Sequence, residues 1–261
     1  MTHDVQHKMK NTKHIGAAVL LLLLAGCTGS DGPLHDAVQR RDLQAVKANV
    51  EQGAAINAFG MYGRTPLYYA ALYGESNIVA YLLSVGANPK KGASWKGYDT
   101  PLHVAAQHGH MGCVQVLLSN NVPVDIKNAS KQTPLILAAR SRQASVVKLL
   151  IENGANVNAI DKMGTTPLEY PSGFVDNYHS NYLETVAILL ENGADPRHID
   201  HNGETALHEA VYMGNAQVVE MLLEHGADPN VSGCRGTPLN WAKREGYTNI
   251  EALLTKSGAK E

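Results

Sequence analysis

One short motif recurs along most of this chain of 261 residues, and it constrains the fold more than any other feature. The motif is clearest in the segment TPLHVAAQHGHMGCVQVLL at residues 100–118. Related segments begin at six threonines that lie 35, 33, 33, 39 and 32 residues apart: Thr65, Thr100, Thr133, Thr166, Thr205 and Thr237. A weaker first segment, GPLH, begins at Gly32. Similar units at such a regular period predict a stacked array with one elongated core.

The residue types within each unit predict a helix, a turn and a second helix. The threonine can cap a helix because its hydroxyl accepts a hydrogen bond from a free backbone N–H, and the proline after it suits the first turn. A glycine nine residues later, such as Gly74, can take the left-handed conformation that ends a helix. The apolar run VVKLL at residues 146–150 has the spacing of a buried helical face. We expect Leu149 in this run, and Leu254 in the last unit, to belong to the core.

The T-P-L-H-x-A motif with a period of about 33 residues resembles the ankyrin-repeat family. The resemblance covers residues 32–254 and implies an all-α solenoid of about seven helix-turn-helix repeats with β-hairpin or loop fingers. The predicted domain spans residues 33–254, and we expect the polar tail at 255–261 to be frayed. The repeats are predicted near residues 33–58, 65–90, 100–125, 133–158, 166–196, 205–230 and 237–254.

Residues 1–26 have the pattern of a bacterial lipoprotein signal peptide. Three lysines precede an apolar run at residues 15–25, which is short for a membrane span. The run leads into Leu24-Ala25-Gly26-Cys27, which resembles the lipobox. This resemblance implies cleavage before Cys27 and lipidation of that cysteine.

The lipobox has consequences for location. Residues 27–32 would form a short tether, and the domain would face the periplasm, held at the outer membrane in preference to the inner one. The alternative is an uncleaved anchor with an incidental cysteine. The start codon is also open, because Met9 could begin a typical signal peptide as well as Met1.

Charge and cysteine content narrow the function. Three of the 22 Lys and Arg residues and one of the 24 Asp and Glu residues lie in residues 1–26, so the mature chain has 19 basic and 23 acidic side chains, a net charge of −4. Nucleic-acid binding requires a basic stripe, so we expect none. Cys113 occupies an apolar core position and Cys234 lies in a finger several repeats away. We therefore expect no disulfide between them.

The sequence contains no recognisable catalytic or metal-binding motif. HExxH, CxxC, G-x-S-x-G and phosphate-binding glycine loops are all absent from it. His35, His103 and His208 occupy the fourth position of the repeat motif, where the family uses histidine structurally. We therefore predict no enzyme activity, no cofactor and no metal, and we favour structural roles over a metal site at His103, His108 and His110.

The family resemblance also implies where a partner would bind. Ankyrin arrays use the finger residues before each threonine and the residues before the turn glycine as variable contact positions. In the later repeats these positions include Lys162, Met163, His201, Tyr212 and Met213. Tyr, Trp and Arg are densest in the first three repeats, so we favour the N-terminal half. The predicted partner-binding residues are Met61, Tyr62, Arg64, Leu72, Tyr73, Trp95, Lys96, Tyr98, Gln107, His108, Arg140, Phe174 and Tyr178.

Two of those residues, Phe174 and Tyr178, lie in a six-residue insertion in repeat five. Pro171 replaces an alanine of the motif there and should stop the first helix early. The segment Pro171–Tyr182 is either a functional insertion in a regular array or a tolerated drift, and both alternatives remain open.

The predicted function is that of a monomeric, non-enzymatic module that binds an unidentified partner protein. A narrower alternative is an immunity protein or inhibitor that neutralises an envelope-acting toxin or enzyme, such as a phospholipase. An enzyme is the competing functional class, and the sequence offers no catalytic fragment to support it.

Overall fold

The computed structural model describes residues 31–92, 99–172 and 181–260. Within these residues the helices form seven consecutive pairs and no β-strand is present, which confirms the predicted all-α array. The first helices are Pro33–Gln39, Pro66–Leu72, Pro101–Gln107, Pro134–Arg140, Glu169–Ser172, Ala206–Tyr212 and Pro238–Glu245. The second helices are Leu43–Glu51, Ser76–Ser84, Met111–Ser119, Ala144–Glu152, Asn181–Glu191, Ala216–Glu224 and Thr248–Lys256. A 3-10 turn covers Met61–Gly63 in the first finger.

The ends of the helices follow the predicted capping chemistry. The Thr65 hydroxyl accepts from the Tyr68 N–H at 3.2 Å, and Thr133 caps its helix in the same way. Caps of this kind stabilise a helix by about 1 kcal/mol. The turn after the first helix requires a left-handed residue, which is Gly74 in repeat two with φ 76°. Arg142 takes the same conformation in repeat four with φ 58°, so this turn forms there without glycine.

The core consists of first helices packed on first helices and second helices packed on second helices along the array. In repeat four, Leu135 and Ala138 of the first helix and Leu150 of the second are fully buried. The expectation for Leu149 was wrong, because this residue is only partly buried and Leu150 occupies the core. A buried face repeats every three to four residues, and Val146, Val147 and Leu150 share it.

Histidines join neighbouring repeats. The Thr100 N–H donates to His103 Nδ1 at 3.2 Å, and His103 Nε2 lies 3.0 Å from the Gln132 carbonyl of the next finger. His208 makes the same pair of contacts with Thr205 and Gly236. Burial lowers the pKa of both His103 and His208, so each stays neutral and can accept at one nitrogen while it donates at the other.

Repeat five departs from this pattern. Its first helix is a single turn, Glu169–Ser172, which includes Pro171. The predicted six-residue insertion falls mainly on residues 173–180, which lie outside the described part of the chain. Glu169 stands where His103 stands in repeat three. Both the N–H and the hydroxyl of Thr166 donate to its Oε1, at 2.9 and 2.8 Å.

The C-terminal tail is part of the array. The predicted frayed segment is helical to Lys256, and Gly258, with φ 89°, ends the helix as the other repeat glycines do. Asn230 of repeat six then receives the Lys260 N–H at 2.8 Å and donates to the Gly258 carbonyl at 3.1 Å. None of the helices in the described residues is both long and apolar enough to cross a bilayer.

Candidate protein-binding surface

The first finger differs from the fourth in how its turn is closed. Asp161 lies in the fourth finger, and its carboxylate accepts from the N–H groups of Met163 and Thr165 within the same turn. Gly60 stands at the equivalent position of the first finger and has no side chain to do this. Asp31, which precedes the first helix, accepts from the Met61 N–H instead, at 2.8 Å.

This arrangement holds two large side chains outward. Met61 is 43% exposed and Tyr62 is 62% exposed. Tyr62 adopts φ 59°, ψ 20°, a left-handed conformation that costs a residue with a Cβ roughly 1–2 kcal/mol. The Tyr69 hydroxyl donates to the Met61 carbonyl at 3.3 Å, which fixes the turn to the helix behind it. Strained backbone conformations cluster at functional sites, so Tyr62 is a candidate contact residue.

Arg64 lies behind this finger among three tyrosines. Its guanidinium carbon is 5.5 Å from the ring centre of Tyr62, 5.2 Å from that of Tyr68 and 5.8 Å from that of Tyr69. Burial raises the pKa of Tyr68 and of Tyr69, so both rings stay neutral beside the cation. Arg64 Nε is buried and has no hydrogen-bond partner within the described residues. Such orphan donors are rare in native proteins.

Two other predicted residues support the surface rather than project from it. Tyr73 is half-buried and stacks on Tyr69 with ring centres 6.1 Å apart, and the Arg41 guanidinium lies 5.6 Å from its ring. Leu72 is also half-buried, and its carbonyl lies 2.9 Å from His110 Nε2 in the next repeat. The aromatic network therefore extends from the finger into the stacked helices.

The predicted residues of repeats three and four lie further along the same side. Gln107 is half-buried, whereas His108 is exposed and stacks on His110 with ring centres 6.0 Å apart. Arg140 is exposed, and its guanidinium lies 5.7 Å from the Tyr170 ring of repeat five. In the described residues no group of three or more His, Cys, Asp or Glu side chains is placed to hold a metal ion.

Several predicted residues cannot be placed. They all lie outside residues 31–92, 99–172 and 181–260, and they are Cys27, Trp95, Lys96, Tyr98, Phe174 and Tyr178. The lipidation site, the tip of the second finger and the repeat-five insertion therefore stay predictions.

Exposed apolar side chains are not confined to the N-terminal half of the described chain. Phe59 joins Met61 and Tyr62 in the first finger, and Met111 lies in repeat three, but the others lie in the C-terminal half. These others are Ile160, Met163, Ile199, Tyr212 and Met213. Their finger and helix-end positions were visible in the sequence, but aromatic density drew the prediction toward the first three repeats.

A second aromatic group, between repeats six and seven, was missed. The rings of Tyr212 and Trp241 have centres 4.9 Å apart, and the Arg235 guanidinium lies 4.6 Å from the Tyr212 ring. Arg235 Nε is also 3.4 Å from the Glu204 carboxylate. Together with Pro238 these residues line a shallow groove, in which Trp241 Nε1 is buried without a partner among the described residues. Trp241 shares its repeat position with Tyr69 and Tyr170, and Tyr212 was among the variable contact positions, but the pairing of the two rings depends on how the repeats stack.

Comparison with known proteins identifies the array. The profile described as ankyrin repeats matches three times, at residues 9–93, 90–161 and 177–261. The chain belongs to the ankyrin-repeat family. Ankyrin repeats support a role as a protein–protein interaction module.

The similar proteins are large and varied. Human B-cell lymphoma 3 protein is 30% identical over 230 residues, which cover 84% of this chain and 49% of that protein. Dog inversin is 31% identical over 196 residues, which cover 73% of this chain and 18% of that protein. The ankyrin chain therefore spans about half or less of these curated relatives.

Two solved structures have the same fold. The ankyrin repeat domain of Bcl-3 superposes with a TM-score of 0.72 at 28% identity, over 87% of this chain and all of that domain. An ankyrin repeat domain from Acinetobacter baumannii AYE superposes with a TM-score of 0.64 at 28% identity, over 75% of this chain and 98% of that domain.

Proposed function

We propose that this ankyrin array is a monomeric, non-enzymatic module that binds a partner protein through its first finger and the aromatic residues behind it. The observation that carries the proposal is the exposure of Met61 and Tyr62 on a turn that holds Tyr62 in a left-handed conformation. Among the described non-glycine residues with positive φ, Tyr62 is the only aromatic one, and it bears the cost of that conformation with its ring mostly in solvent. The cost is understandable if Tyr62 contacts a partner.

The surroundings favour a tight contact. Tyr and Arg are enriched among the residues that dominate interface energetics, and Tyr62 and Arg64 lie side by side here. Because the turn is closed by Asp31 and tied to Tyr69, Tyr62 is already ordered before a partner arrives. Less conformational freedom is then lost on binding, which improves affinity.

The test is capture of envelope proteins, solubilised in detergent, by the immobilised protein. Met61→Ala combined with Tyr62→Ala should weaken capture at least about tenfold, since about 1.4 kcal/mol corresponds to a factor of ten and a truncated anchor can cost about 2 kcal/mol. Met111→Ala is the matched control because Met111 is 46% exposed and lies at the start of a second helix. If both variants capture the same proteins as the parent, the first finger is not the interface.

The location is a second part of the proposal. We place the protein in the bacterial envelope, lipid-anchored through Cys27 and facing the periplasm, with no nucleic-acid partner. The support is the Leu24–Cys27 sequence after a short apolar run. Cys27→Ala should release the protein from the membrane fraction. A substituted protein that stays membrane-bound and keeps its full length would contradict lipid anchoring.

The short tether favours one narrower role. The first helix begins at Pro33, so residues 27–32 reach only about 20 Å when extended at roughly 3.3–3.6 Å per residue. An array held this close to the bilayer would suit an immunity protein that blocks an envelope-acting toxin or lipid-degrading enzyme. Such an inhibitor should capture one tight partner and abolish its activity, whereas a scaffold should capture several.

A further inference from the structure

The tips of the fingers have a charge pattern that the net charge of the chain conceals. We define the finger-tip row as the six residues before the threonine in the fingers that the structure describes in full, the first and the third to sixth: 59–64, 127–132, 160–165, 199–204 and 231–236. Every exposed charged side chain among the described residues of the row is basic. These side chains are Lys127, Lys131, Lys162 and Arg235.

The acidic residues of the row are turned inward and serve as acceptors. Asp161 accepts from two turn amides and from the Tyr170 hydroxyl, the latter at 2.7 Å. Asp200 accepts from the amides of Asn202 and Glu204 at 2.8 and 2.9 Å. Glu204 is 3% exposed and accepts from the Cys234 thiol at 3.1 Å. In these turns the carboxylates are buried or half-buried acceptors, whereas the three lysines of the row are exposed.

The later tips form one continuous ribbon. The Lys162 N–H donates to the Ser130 carbonyl of the preceding finger at 3.0 Å. The next two fingers are joined in the same way, with His201 donating to Met163 at 3.1 Å and Cys234 donating to Asn202 at 3.2 Å. The basic side chains are consequently held on a shared backbone edge.

Apolar side chains stand between these cations. The exposed large hydrophobic residues of the row are Phe59, Met61, Tyr62, Ile160, Met163 and Ile199. In the fourth finger Lys162 is flanked in sequence by Met163 and lies two residues from Ile160. From the third finger to the sixth, the surface thus offers basic contacts interspersed with apolar ones.

We propose that the finger-tip row binds an extended segment of the partner protein in which acidic side chains alternate with apolar ones. The proposal rests on the protein-binding function proposed above and states the chemistry of the partner. Complementary charge would steer this segment to the row and fix its register, and the apolar contacts would supply affinity.

Two other anionic partners fit less well. Nucleic acid and anionic membranes attract clustered cations that outnumber the acidic groups around them. Here the fourth and sixth fingers carry one exposed cation each and the fifth carries none, and the chain as a whole has a net charge of −2, which opposes approach to a uniformly anionic surface. A protein segment with both acidic and apolar side chains matches the mixed character of the row as well as the sign of its charge.

The test measures binding of labelled synthetic peptides by fluorescence anisotropy. One extended peptide alternates Glu or Asp with Leu or Phe, a second replaces every acid with Lys, and a third replaces every acid with Gln. We expect the acidic peptide to bind at least about tenfold more tightly than the other two at low salt, and the preference to shrink near 0.15 M salt, where the Debye length is about 8 Å.

Charge-reversal variants locate the effect. Lys131→Glu combined with Lys162→Glu should weaken binding of the acidic peptide at least about tenfold. Lys148→Glu combined with Lys256→Glu makes the same change in net charge on second helices and should have much less effect, because both lysines are exposed but lie away from the fingers. Thermal unfolding of both double variants checks that the fold is intact.

Three outcomes would overturn the proposal. The acidic peptide could bind no better than the lysine peptide, or the two double variants could weaken binding equally. Alternatively, phosphatidylglycerol vesicles or single-stranded DNA could bind more tightly than the peptide and lose binding when Lys131→Glu is combined with Lys162→Glu. If the peptide result fails while Met61→Ala with Tyr62→Ala still abolishes protein capture, the protein-binding function stands and only the acidic segment is wrong.

Discussion

Glu169 offers the sharpest test of how the array tolerates its irregular fifth repeat. This carboxyl group is 5% exposed and replaces the histidine that links repeats elsewhere. Burial raises its pKa from 4.5 to about 7, against the lowering effect of two hydrogen bonds from Thr166, and the charges of Asp200 and Glu209 add to the rise. We therefore expect Glu169→Gln to stabilise the protein at alkaline pH.

The sign follows from linkage. A folded-state pKa above the unfolded value means that the folded protein holds the proton more tightly. The contribution of this group to the free energy of unfolding is fully present below the unfolded pKa of 4.5 and is lost as pH rises through the folded-state pKa of about 7. At about 1.36 kcal/mol per pKa unit, ionised Glu169 costs about 3 kcal/mol near pH 8.5. Glutamine is isosteric, retains the oxygen that accepts from Thr166, and carries no charge to desolvate.

The assay is thermal unfolding of the parent and Glu169→Gln at several pH values, followed by circular dichroism. Near pH 8.5 the variant should melt about 6–12 °C higher, because 1 kcal/mol shifts the midpoint by about 2–4 °C at this size. Near pH 4.5 the two midpoints should converge. Glu152→Gln, at an exposed position, is the control and should follow the parent at every pH. A difference between parent and Glu169→Gln that does not change with pH would refute the reasoning.

Three further predictions test the packing. Leu150→Ala should lower the free energy of unfolding by about 2–5 kcal/mol, and both Leu149→Ala and Leu254→Ala in the terminal repeat should lower it less. Equal melting shifts for the three variants would contradict the stacked core. Gly60→Ala should lower the melting midpoint, because its Cβ would meet the Asp31 carboxylate and come within 2.8 Å of the His35 ring, and an unchanged midpoint would show that Asp31 does not close the finger. At mild alkaline pH iodoacetamide should label exposed Cys234 but not Cys113, whose pKa burial raises to about 12; rapid labelling of Cys113 in the folded protein would place it outside the core.

The features that the sequence predicted well are local and repeated. A threonine followed by proline specifies its helix start through contacts within four residues, and the structure has this cap at Thr65, Thr133 and Thr237. Asn121 stands in place of a repeat glycine and adopts φ 59°, which fits the tolerance of asparagine for the left-handed region. Because the same local rules act in each unit, one clear copy made the others interpretable.

The features that were missed depend on neighbours distant in the sequence. Leu149 and Leu150 have the same residue type, and only the packing of adjacent repeats decides which of them faces the core. The tail contains Gly258-Ala259, the pair that ends other repeats, but its order comes from hydrogen bonds to Asn230 about a repeat earlier. The short, polar composition of the tail indicated fraying, because composition does not reveal that Asn230, in another repeat, receives the Lys260 N–H.

The finger tips show why the charge composition of the chain does not predict the charge of its surface in this fold. Asp161 and Lys162 are adjacent and cancel in any count of charge. In the structure the aspartate accepts hydrogen bonds from amides two and four residues later, so it must point into the turn, and the lysine beside it is left outside. The exposed charges at these finger tips are therefore basic in a chain whose net charge is −2. Reversing Lys162 alters that surface, whereas neutralising Asp161 should disrupt the turn before it changes the surface potential.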